Sequence, residues 1–357
     1  MTTGPGLKIL YIAYPLLPVS EKSCGGAEQV LVTLEQEMKR RGHETMVAAC
    51  WGSKVAGEVL PTGDPPTGPD QFEPRSAEHN RRVLAYLRSH PQEFDLVHDQ
   101  SGTFWQSLDR NTELPVPVLV TLHLPRGSYP EEAFGRVPPN VKFNCVSQKQ
   151  AAWFGDLRPA CVPNGIGVHK YSVAEKKGDY LLWLGRICEE KGAHLAIEVA
   201  QRTGRPLIIA GQVYPFSYHQ QYFREKIWPQ VDGERVSWAE SPNLQEKVEL
   251  LQGARAVLIP SLVDETSSLV AMEAMACGTP VIAFRRGALP EVIADGRTGF
   301  VVDSVDEMVR AVEQVGRIDA QMCREYVEGS YSAARMADDY ERLYRRIATK
   351  FNRALAS

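Results

Sequence analysis

The sequence lacks several patterns that would place it in a common class of proteins. Its seven cysteines are scattered, odd in number and form no C-x-x-C pair. This argues against a disulfide framework and a zinc site, and it favours a reducing compartment. The longest apolar run near the start, residues 9–19, is interrupted by tyrosine and proline. It is too short to cross a bilayer and has no signal-peptide cleavage pattern, so we expect a cytoplasmic protein.

Other absences exclude particular ligands. The net charge of −4 gives no electrostatic reason to expect a nucleic-acid partner. No predicted strand is followed by G-x-G-x-x-G, which disfavours a dehydrogenase. No His-x-x-x-His, Asp-x-Asp or acidic triplet is present, so we expect neither a dedicated metal site nor a cofactor.

Strand and helix patterns alternate along the chain, which is typical of parallel α/β proteins. The length of 357 residues fits two domains better than one core. We predict Rossmann-like domains over residues 1–167 and 179–332, a linker over 168–178, and a final helix over 333–357. Residues 51–74, rich in Gly, Pro and Asp, are predicted to form a long loop.

The most informative stretch is residues 259–282, where a strand, a polar loop, a helix of small residues and another strand follow one another. Such a unit places the loop at the carboxyl end of a parallel sheet, where α/β folds bind ligands. The amides of residues 266–268 would suit a phosphate or a sugar hydroxyl. Glu273 lies among apolar residues and needs a partner, which ribose hydroxyls would supply. The alternative is that Glu265 caps the helix and Glu273 is an isolated polar residue.

A second strand–loop–helix pattern, residues 184–192, contains Arg186 and Lys191. Cations at the amino end of a helix oppose its dipole, so an anion that neutralises both is expected there. The alternative pairs the two cations with Glu189 and Glu190 at the surface.

Three features of the first half complete the candidate site. Gly25 and Gly26 open a helix and permit close approach of a bound group, although a simple tight turn is the alternative. His98 and Asp99 end one predicted strand, and His123 follows another. All three side chains are therefore expected at one carboxyl edge of the first sheet, facing a cleft. For each histidine, a structural role is the alternative.

At these residues the chain resembles a retaining glycosyltransferase of the large GT-B-fold family 4. The matching motifs are the E-x7-E element from Glu265 to Glu273, residues 274–282, the loop of residues 185–192, Gly25-Gly26 and residues 162–165. The family usually has Gly or Pro, an aromatic residue and Gly after the first glutamate. Here residues 266–268 are Thr-Ser-Ser, which leaves the identity of the transferred sugar open.

The resemblance implies two Rossmann-like parallel-sheet domains facing across a cleft, with the last helix crossing back to the first domain. The first domain would bind a hydroxyl-bearing acceptor, and the second a UDP- or GDP-linked sugar as substrate. It implies metal-independent, retaining transfer of a hexosyl-type sugar by front-face attack, with the leaving diphosphate as base.

The resemblance also implies roles for individual residues. The catalytic candidates are His123, Glu265, Arg186 and Lys191. The candidates for binding the donor nucleotide sugar are Gly25, Gly26, Arg186, Lys191, Thr266, Ser267, Ser268, Leu269 and Glu273. The acceptor-side candidates are His98 and Asp99.

Two alternatives to sugar transfer remain at this point. One is another GT-B enzyme such as a sugar-nucleotide epimerase, against which the E-x7-E helix argues. The other is a non-catalytic two-domain sugar-binding protein. The last helix carries basic residues beside Leu343 and Ile347, so it is either a peripheral membrane contact or a domain-bridging helix, and we favour the second.

Overall fold

The computed structural model describes residues 5–23 and 25–356. The chain forms two compact units. The first comprises Met1–Gly165 and Ala333–Ser357, and the second comprises Ile166–Ser332.

Among its described residues, the first unit contains a parallel sheet of seven short strands. They are β1 (Lys8–Ile12), β2 (Glu44–Ala49), β3 (Glu58–Pro61), β4 (Leu96–Asp99), β5 (Val118–Leu122), β6 (Val141–Cys145) and β7 (Ala160–Cys161). Their order in the sheet is β3-β2-β1-β4-β5-β6-β7. Every residue of β4 and β5 is buried, as expected for strands covered on both faces.

The long loop predicted for residues 51–74 is only partly correct. The structure forms β3 within it, pairing in parallel with β2, and a helix starts at Phe72. The four residues of β3 are half-buried or exposed at the sheet edge. Such a short edge strand leaves no clear hydrophobic period in the sequence.

The second unit contains a parallel sheet of six strands. They are β8 (Leu181–Leu184), β9 (Leu207–Ala210), β10 (Val236–Ala239), β11 (Ala256–Ile259), β12 (Val281–Phe284) and β13 (Gly299–Val302). Their order is β10-β9-β8-β11-β12-β13. The direction of winding therefore reverses between β8 and β11, where ligands bind in open α/β sheets. The prediction of two doubly wound parallel sheets is confirmed.

Helices connect the strands in both units. Those of the first unit are α1 (Gly26–Arg40), α2 (Phe72–Ser89), α3 (Glu131–Phe134) and α4 (Gln148–Trp153). Those of the second are α5 (Ala193–Thr203), α6 (Ser217–Tyr222), α7 (Leu244–Gly253), α8 (Leu269–Ala276), α9 (Leu289–Val292), α10 (Val305–Gln314) and α11 (Ala320–Ser330). The last helix, α12 (Ala333–Ala356), returns to the first unit, as predicted.

Polar and apolar contacts hold α12 within the first unit. Arg41, just after α1, donates hydrogen bonds to Asp338 Oδ1 at 2.6 Å and to the Ala334 carbonyl at 2.8 Å. Leu343 and Ile347, on the apolar side of α12, are buried. Within residues 5–23 and 25–356, no helix combines the length and apolar character needed to cross a bilayer.

Candidate functional site

In the second unit, the loops that follow β8 and β11 lie side by side. The Leu262 amide donates to the Glu190 carbonyl at 2.8 Å. Gly192 has a φ of 71°, and a Cβ placed there would lie 2.1 Å from the Pro260 carbonyl oxygen. Only glycine permits both this conformation and this approach, so the two loops are held against each other.

The contact between these loops joins two of the predicted site residues. Lys191 Nζ lies 2.6 Å from Glu265 Oε1, and Ser261 Oγ donates to the same oxygen. The Trp183 indole NH donates to the Lys191 carbonyl at 3.1 Å, which fixes the backbone that carries the ammonium group. The side chains of Lys191 and Glu265 are 30% and 13% exposed, so both can still reach a ligand.

A third loop, after β12, supports the backbone of Glu265. The Ala288 amide donates to the Glu265 carbonyl at 2.7 Å, and the Gly287 amide donates to Asp264 Oδ1 at 2.8 Å. Gly287 has a φ of 55°, and a Cβ there would lie 2.1 Å from the Glu265 carbonyl oxygen. Sequence reasoning missed this support, because nothing in the spacing links Gly287 to the E-x7-E element.

Arg186 pairs with a neighbouring glutamate, which is the alternative to anion binding that the sequence left open. Its guanidinium lies 3.3 Å from Glu190 Oε1 and 5.7 Å from the centroid of the Tyr214 ring. Lys191, in contrast, pairs with Glu265 and not with Glu189 or Glu190. Arg186 is 40% exposed, and a bound anion would compete with Glu190 for it.

The residues of the Thr-Ser-Ser loop, which precedes α8, have different roles. Ser268 is the N-cap, and its hydroxyl accepts from the Ala271 amide at 3.2 Å. The Ser267 hydroxyl is buried and has no hydrogen-bond partner within the described part of the chain. A buried hydroxyl of this kind favours a ligand partner. Thr266 and Leu269 are half-buried beside it.

Glu273 has protein partners where we expected a ligand. Its side chain lies on α8 and is 3% exposed. Its Oε1 accepts from the Tyr171 hydroxyl at 2.7 Å and from Lys247 Nζ at 2.6 Å. Burial, followed by the charge of Glu273, raises the pKa of Tyr171, so its hydroxyl stays protonated and donates. The expectation that Glu273 depends on ribose for a partner is therefore corrected.

Neither partner of Glu273 was identified from the sequence. Lys247 lies on α7, and Tyr171 lies in the stretch predicted as a linker. Tyr171 and Val168 are buried within the second unit, so that stretch is partly core. The sequence holds no signal for these contacts, because only the fold brings the three segments together.

In the first unit, His98 is enclosed. It is fully buried on β4, with Nδ1 2.6 Å from the Tyr344 hydroxyl and Nε2 2.7 Å from Thr121 Oγ1. Burial holds the pKa of His98 well below its usual value, so the ring is neutral. The expectation that it faces a cleft is corrected, since both ring nitrogens are used in the core.

Asp99 is enclosed in the same way. Its carboxylate accepts from the Ser101 amide at 2.8 Å and from the Trp105 amide at 3.0 Å. Burial raises the pKa of Asp99 to about 6, although these hydrogen bonds oppose the rise. Asp99 therefore shapes the loop after β4, and the expectation that it faces a cleft is also corrected.

His123 differs from the other two because it is only half-buried at the end of β5. Its Nε2 lies 3.2 Å from Gln100 Oε1, and its amide donates to the Tyr129 hydroxyl at 3.1 Å. Burial lowers the pKa of His123 to about 4, so the ring is neutral near pH 7. A neutral imidazole can donate or accept a hydrogen bond with a sugar hydroxyl.

Gly25 and Gly26 lie at the start of α1, as predicted. Gly25 is the N-cap, and Gly26 is exposed. A Cβ on Gly25 would lie 2.0 Å from Glu28 Oε2, so the Glu28 side chain folds over this glycine. Burial raises the pKa of Glu28, which makes its negative charge less favourable there.

Comparison with known proteins covers both units. The family model "Glycosyl transferases group 1" matches residues 168–332, and "Glycosyltransferase Family 4" matches residues 24–167. A D-inositol 3-phosphate glycosyltransferase from Corynebacterium efficiens is 33% identical over 150 residues, or 40% of this chain. The chain matches only 33% of the length of that relative.

Solved structures match over nearly the whole chain. AviGT4, a glycosyltransferase involved in Avilamycin A biosynthesis, has a TM-score of 0.72 at 23% identity, covering 96% of this chain and 98% of its own. Anabaena HepE in complex with UDP-glucose has a TM-score of 0.72 at 16% identity, covering 97% and 99%. These likenesses establish the GT-B fold. Together with the two family models, they show that the chain belongs to the group 1 and family 4 glycosyltransferases.

Proposed function

We propose that this protein transfers a hexosyl-type sugar from a UDP- or GDP-linked donor to the hydroxyl group of an acceptor. The second unit binds the donor, and the first binds the acceptor. The observation that carries this proposal is the Lys191–Glu265 pair at the carboxyl edge of the second sheet, where its winding reverses. The relative from Anabaena, whose structure contains UDP-glucose, supports a nucleotide-sugar donor.

The positive charges in the second unit can stabilise a nucleoside diphosphate as it leaves the sugar. Cleavage of the bond between the sugar and the β-phosphate leaves negative charge on the phosphate oxygen. Lys191 and Arg186 are preorganised cations that stabilise this charge, as does the amino end of α5. Electrostatic stabilisation of this kind is commonly the largest contribution to catalysis.

We further propose that the reaction retains the configuration of the sugar and needs no metal ion for the leaving group. The acceptor oxygen forms its bond on the same face of the sugar from which the diphosphate leaves. The acceptor proton passes to the departing phosphate oxygen, so no carboxylate pair flanking the bond is needed. Glu265 and the Ser267 hydroxyl bind the transferred sugar. Tyr171 and Lys247 both contact Oε1 of Glu273, so Glu273 binds the ribose through Oε2.

In the first unit, we assign His123 a role in binding the substrate. Its ring is neutral near pH 7, because burial lowers its pKa to about 4. In this state it can donate a hydrogen bond to a substrate hydroxyl group or accept one from it.

The test is a screen of UDP- and GDP-linked sugars in which release of the nucleoside diphosphate is measured with and without acceptor. UDP or GDP alone should also raise the Tm, since a ligand at 100 times its Kd stabilises the folded state by about 2.7 kcal/mol. A non-catalytic sugar-binding protein would respond to free sugars and release no diphosphate. Failure of every nucleotide to bind would overturn the proposal.

A further inference from the structure

Three side chains of types that can bind a metal ion meet at the loop after β8, and none of them is assigned to sugar transfer. Cys188 Sγ, a Glu190 carboxylate oxygen and a ring nitrogen of His219 all lie within 4.8 Å of one another. Cys188 and His219 are fully buried, and Glu190 is half-buried. Cys188 and Glu190 lie in the loop that precedes α5, whereas His219 lies on α6.

His219 provides an independent indication of a ligand. Both of its ring nitrogens are buried, and neither has a hydrogen-bond partner within the described residues. Aromatic rings contact it at centroid distances of 6.2 Å for Tyr214, 5.3 Å for Phe216 and 4.2 Å for Tyr218. A buried polar group without a partner destabilises the fold. Coordination of one ring nitrogen to a cation would remove much of that penalty.

We propose that Cys188, Glu190 and His219 bind a Zn²⁺ ion, with a water molecule in the fourth position. A thiolate, an imidazole and a carboxylate are the ligands that zinc takes in proteins. Mg²⁺ and Ca²⁺ prefer oxygen ligands throughout, so the sulfur and nitrogen atoms select against them. The thiolate and the carboxylate together balance the two positive charges of the ion.

The geometry requires only a small contraction. At the usual zinc bond lengths of about 2.0–2.3 Å, two ligand atoms of a tetrahedral site lie about 3.3–3.8 Å apart. The three atoms, now within 4.8 Å, would each move by about 1 Å or less. On binding, the Cys188 thiol, which donates to the Arg186 carbonyl at 3.4 Å, would lose its proton to the solvent.

The Glu190 carboxylate would contact both the zinc ion and Arg186. Glu190 now holds the Arg186 guanidinium at 3.3 Å, and coordination would draw that carboxylate towards zinc. The ion would therefore fix the loop that carries both donor-binding cations, without touching the donor. This inference goes beyond the proposed function, since metal-free departure of the diphosphate does not depend on it.

The test measures zinc binding to the full chain by competition with a chromophoric chelator, together with the metal content after dialysis. We expect one tightly bound Zn²⁺ per chain. Cys188→Ser, Glu190→Gln and His219→Gln should each weaken binding more than about 100-fold, because loss of even an outer partner costs 10–100-fold. Cobalt bound to the wild-type protein should show a thiolate charge-transfer band that Cys188→Ser abolishes.

Two matched controls separate this site from unspecific binding. Cys323→Ser removes another buried thiol of the second unit, and His194→Gln removes another histidine of that unit. Both should bind zinc as the wild type does. If Cys188→Ser or His219→Gln fails to fold, Glu190→Gln alone tests zinc binding, because Glu190 is only half-buried. Equal zinc affinity in wild type and Glu190→Gln, or a cobalt spectrum without the thiolate band, would overturn the proposal.

Discussion

Lys191 and Glu265 form an ion pair of 2.6 Å between the loops that follow β8 and β11. One residue is a predicted binder of the diphosphate, and the other is the first glutamate of the E-x7-E element. The pair lies where the second sheet reverses its winding. The strand order therefore explains why residues 74 positions apart meet at the expected ligand-binding edge.

Replacement of Lys191 by alanine should lower the rate of sugar transfer by about 10²–10³, the usual effect of losing one preorganised charge-stabilising group. The Tm should change little, because a partly exposed ion pair contributes about 0–1 kcal/mol to folding. Product formation with the donor found in the screen measures the effect. Lys176→Ala removes an exposed lysine of the same unit and is the matched control. Near-normal transfer by Lys191→Ala would remove Lys191 from the diphosphate site.

Replacement of Glu273 by glutamine should weaken nucleotide binding about tenfold, the loss expected for one hydrogen bond to a charged group. Lys247→Met breaks the same buried ion pair from the other side. It should destabilise the fold by about 3–5 kcal/mol, since it leaves a buried carboxylate without its cation. We expect it to change the Kd of the nucleotide less than threefold, because Lys247 is not among the proposed nucleotide-binding residues.

Calorimetry with UDP or GDP, combined with thermal unfolding, separates the two roles of Glu273. If both variants weaken nucleotide binding equally, Glu273 acts only through its ion pair with Lys247, and the ribose assignment fails.

Replacement of Gly287 by alanine should impair both folding and transfer. The new Cβ would lie 2.1 Å from the Glu265 carbonyl oxygen, so the loop that carries Glu265 must shift. Gly296→Ala is the matched control, because Gly296 also has a positive φ, of 73°, but no atom within 4 Å of the new Cβ. The control should lose about 1–2 kcal/mol of stability from its backbone conformation alone. Equal stability and activity of the two variants would show that the Gly287 contact is unimportant.

Treatment with EDTA should leave sugar transfer within about tenfold of its starting rate, because we propose that Lys191 and Arg186 neutralise the leaving group without a divalent ion. Loss of the proposed zinc ion would affect only the support of their loop. The Cys188→Ser variant, assayed with and without EDTA, separates the two effects. Abolition of its activity by chelation would show that transfer itself requires a metal.

Acidification should destabilise the first unit through His79. Burial lowers the pKa of His79 from its usual 6.5 to about 4. Between these values the unfolded chain binds a proton that the folded chain does not. The associated stability is therefore fully present above about pH 6.5 and is lost as the pH falls towards 4, by about 1.4 kcal/mol per pH unit.

Thermal unfolding across this range should show a shallower pH dependence in His79→Leu than in the wild type. His90→Leu replaces an exposed histidine at the end of α2 and should keep the wild-type slope. The same slope in all three proteins would contradict a contribution from His79.

The structure confirms predicted elements of both types, strands and helices. β8, α8 and α12 were all identified from the sequence, because buried strands are continuously apolar and helices repeat every 3.6 residues. The sequence missed β3, whose four residues are not buried, and α11, which we did not predict. The four-residue edge strand β3 has too few residues to establish a period. The helix α11, at 11 residues, is longer than the predicted α8, so its length does not explain why it was missed.

Some residues of the candidate site were also predicted correctly from the sequence, and others were not. Arg186, Lys191 and Glu265 were singled out because charged residues directly after apolar strands are placed by local sequence alone. His98 and Asp99 met the same criterion, yet they are enclosed by Tyr344 and the loop of residues 100–105. Position at a strand end does not determine exposure, since α12 covers His98 from the far end of the chain.

The sequence by itself determined the α/β class, the two doubly wound sheets, the family and the loops that carry the charged residues, because all of these depend on local periodicity and on motifs of neighbouring residues. Only the tertiary structure decided the partners of each charge: Lys191 with Glu265, Arg186 with Glu190, and Glu273 with Lys247 and Tyr171. It also assembled Cys188, Glu190 and His219 from two separate elements. Such pairings depend on the order in which strands associate, which brings distant segments within a few ångströms and leaves no trace in their spacing along the chain.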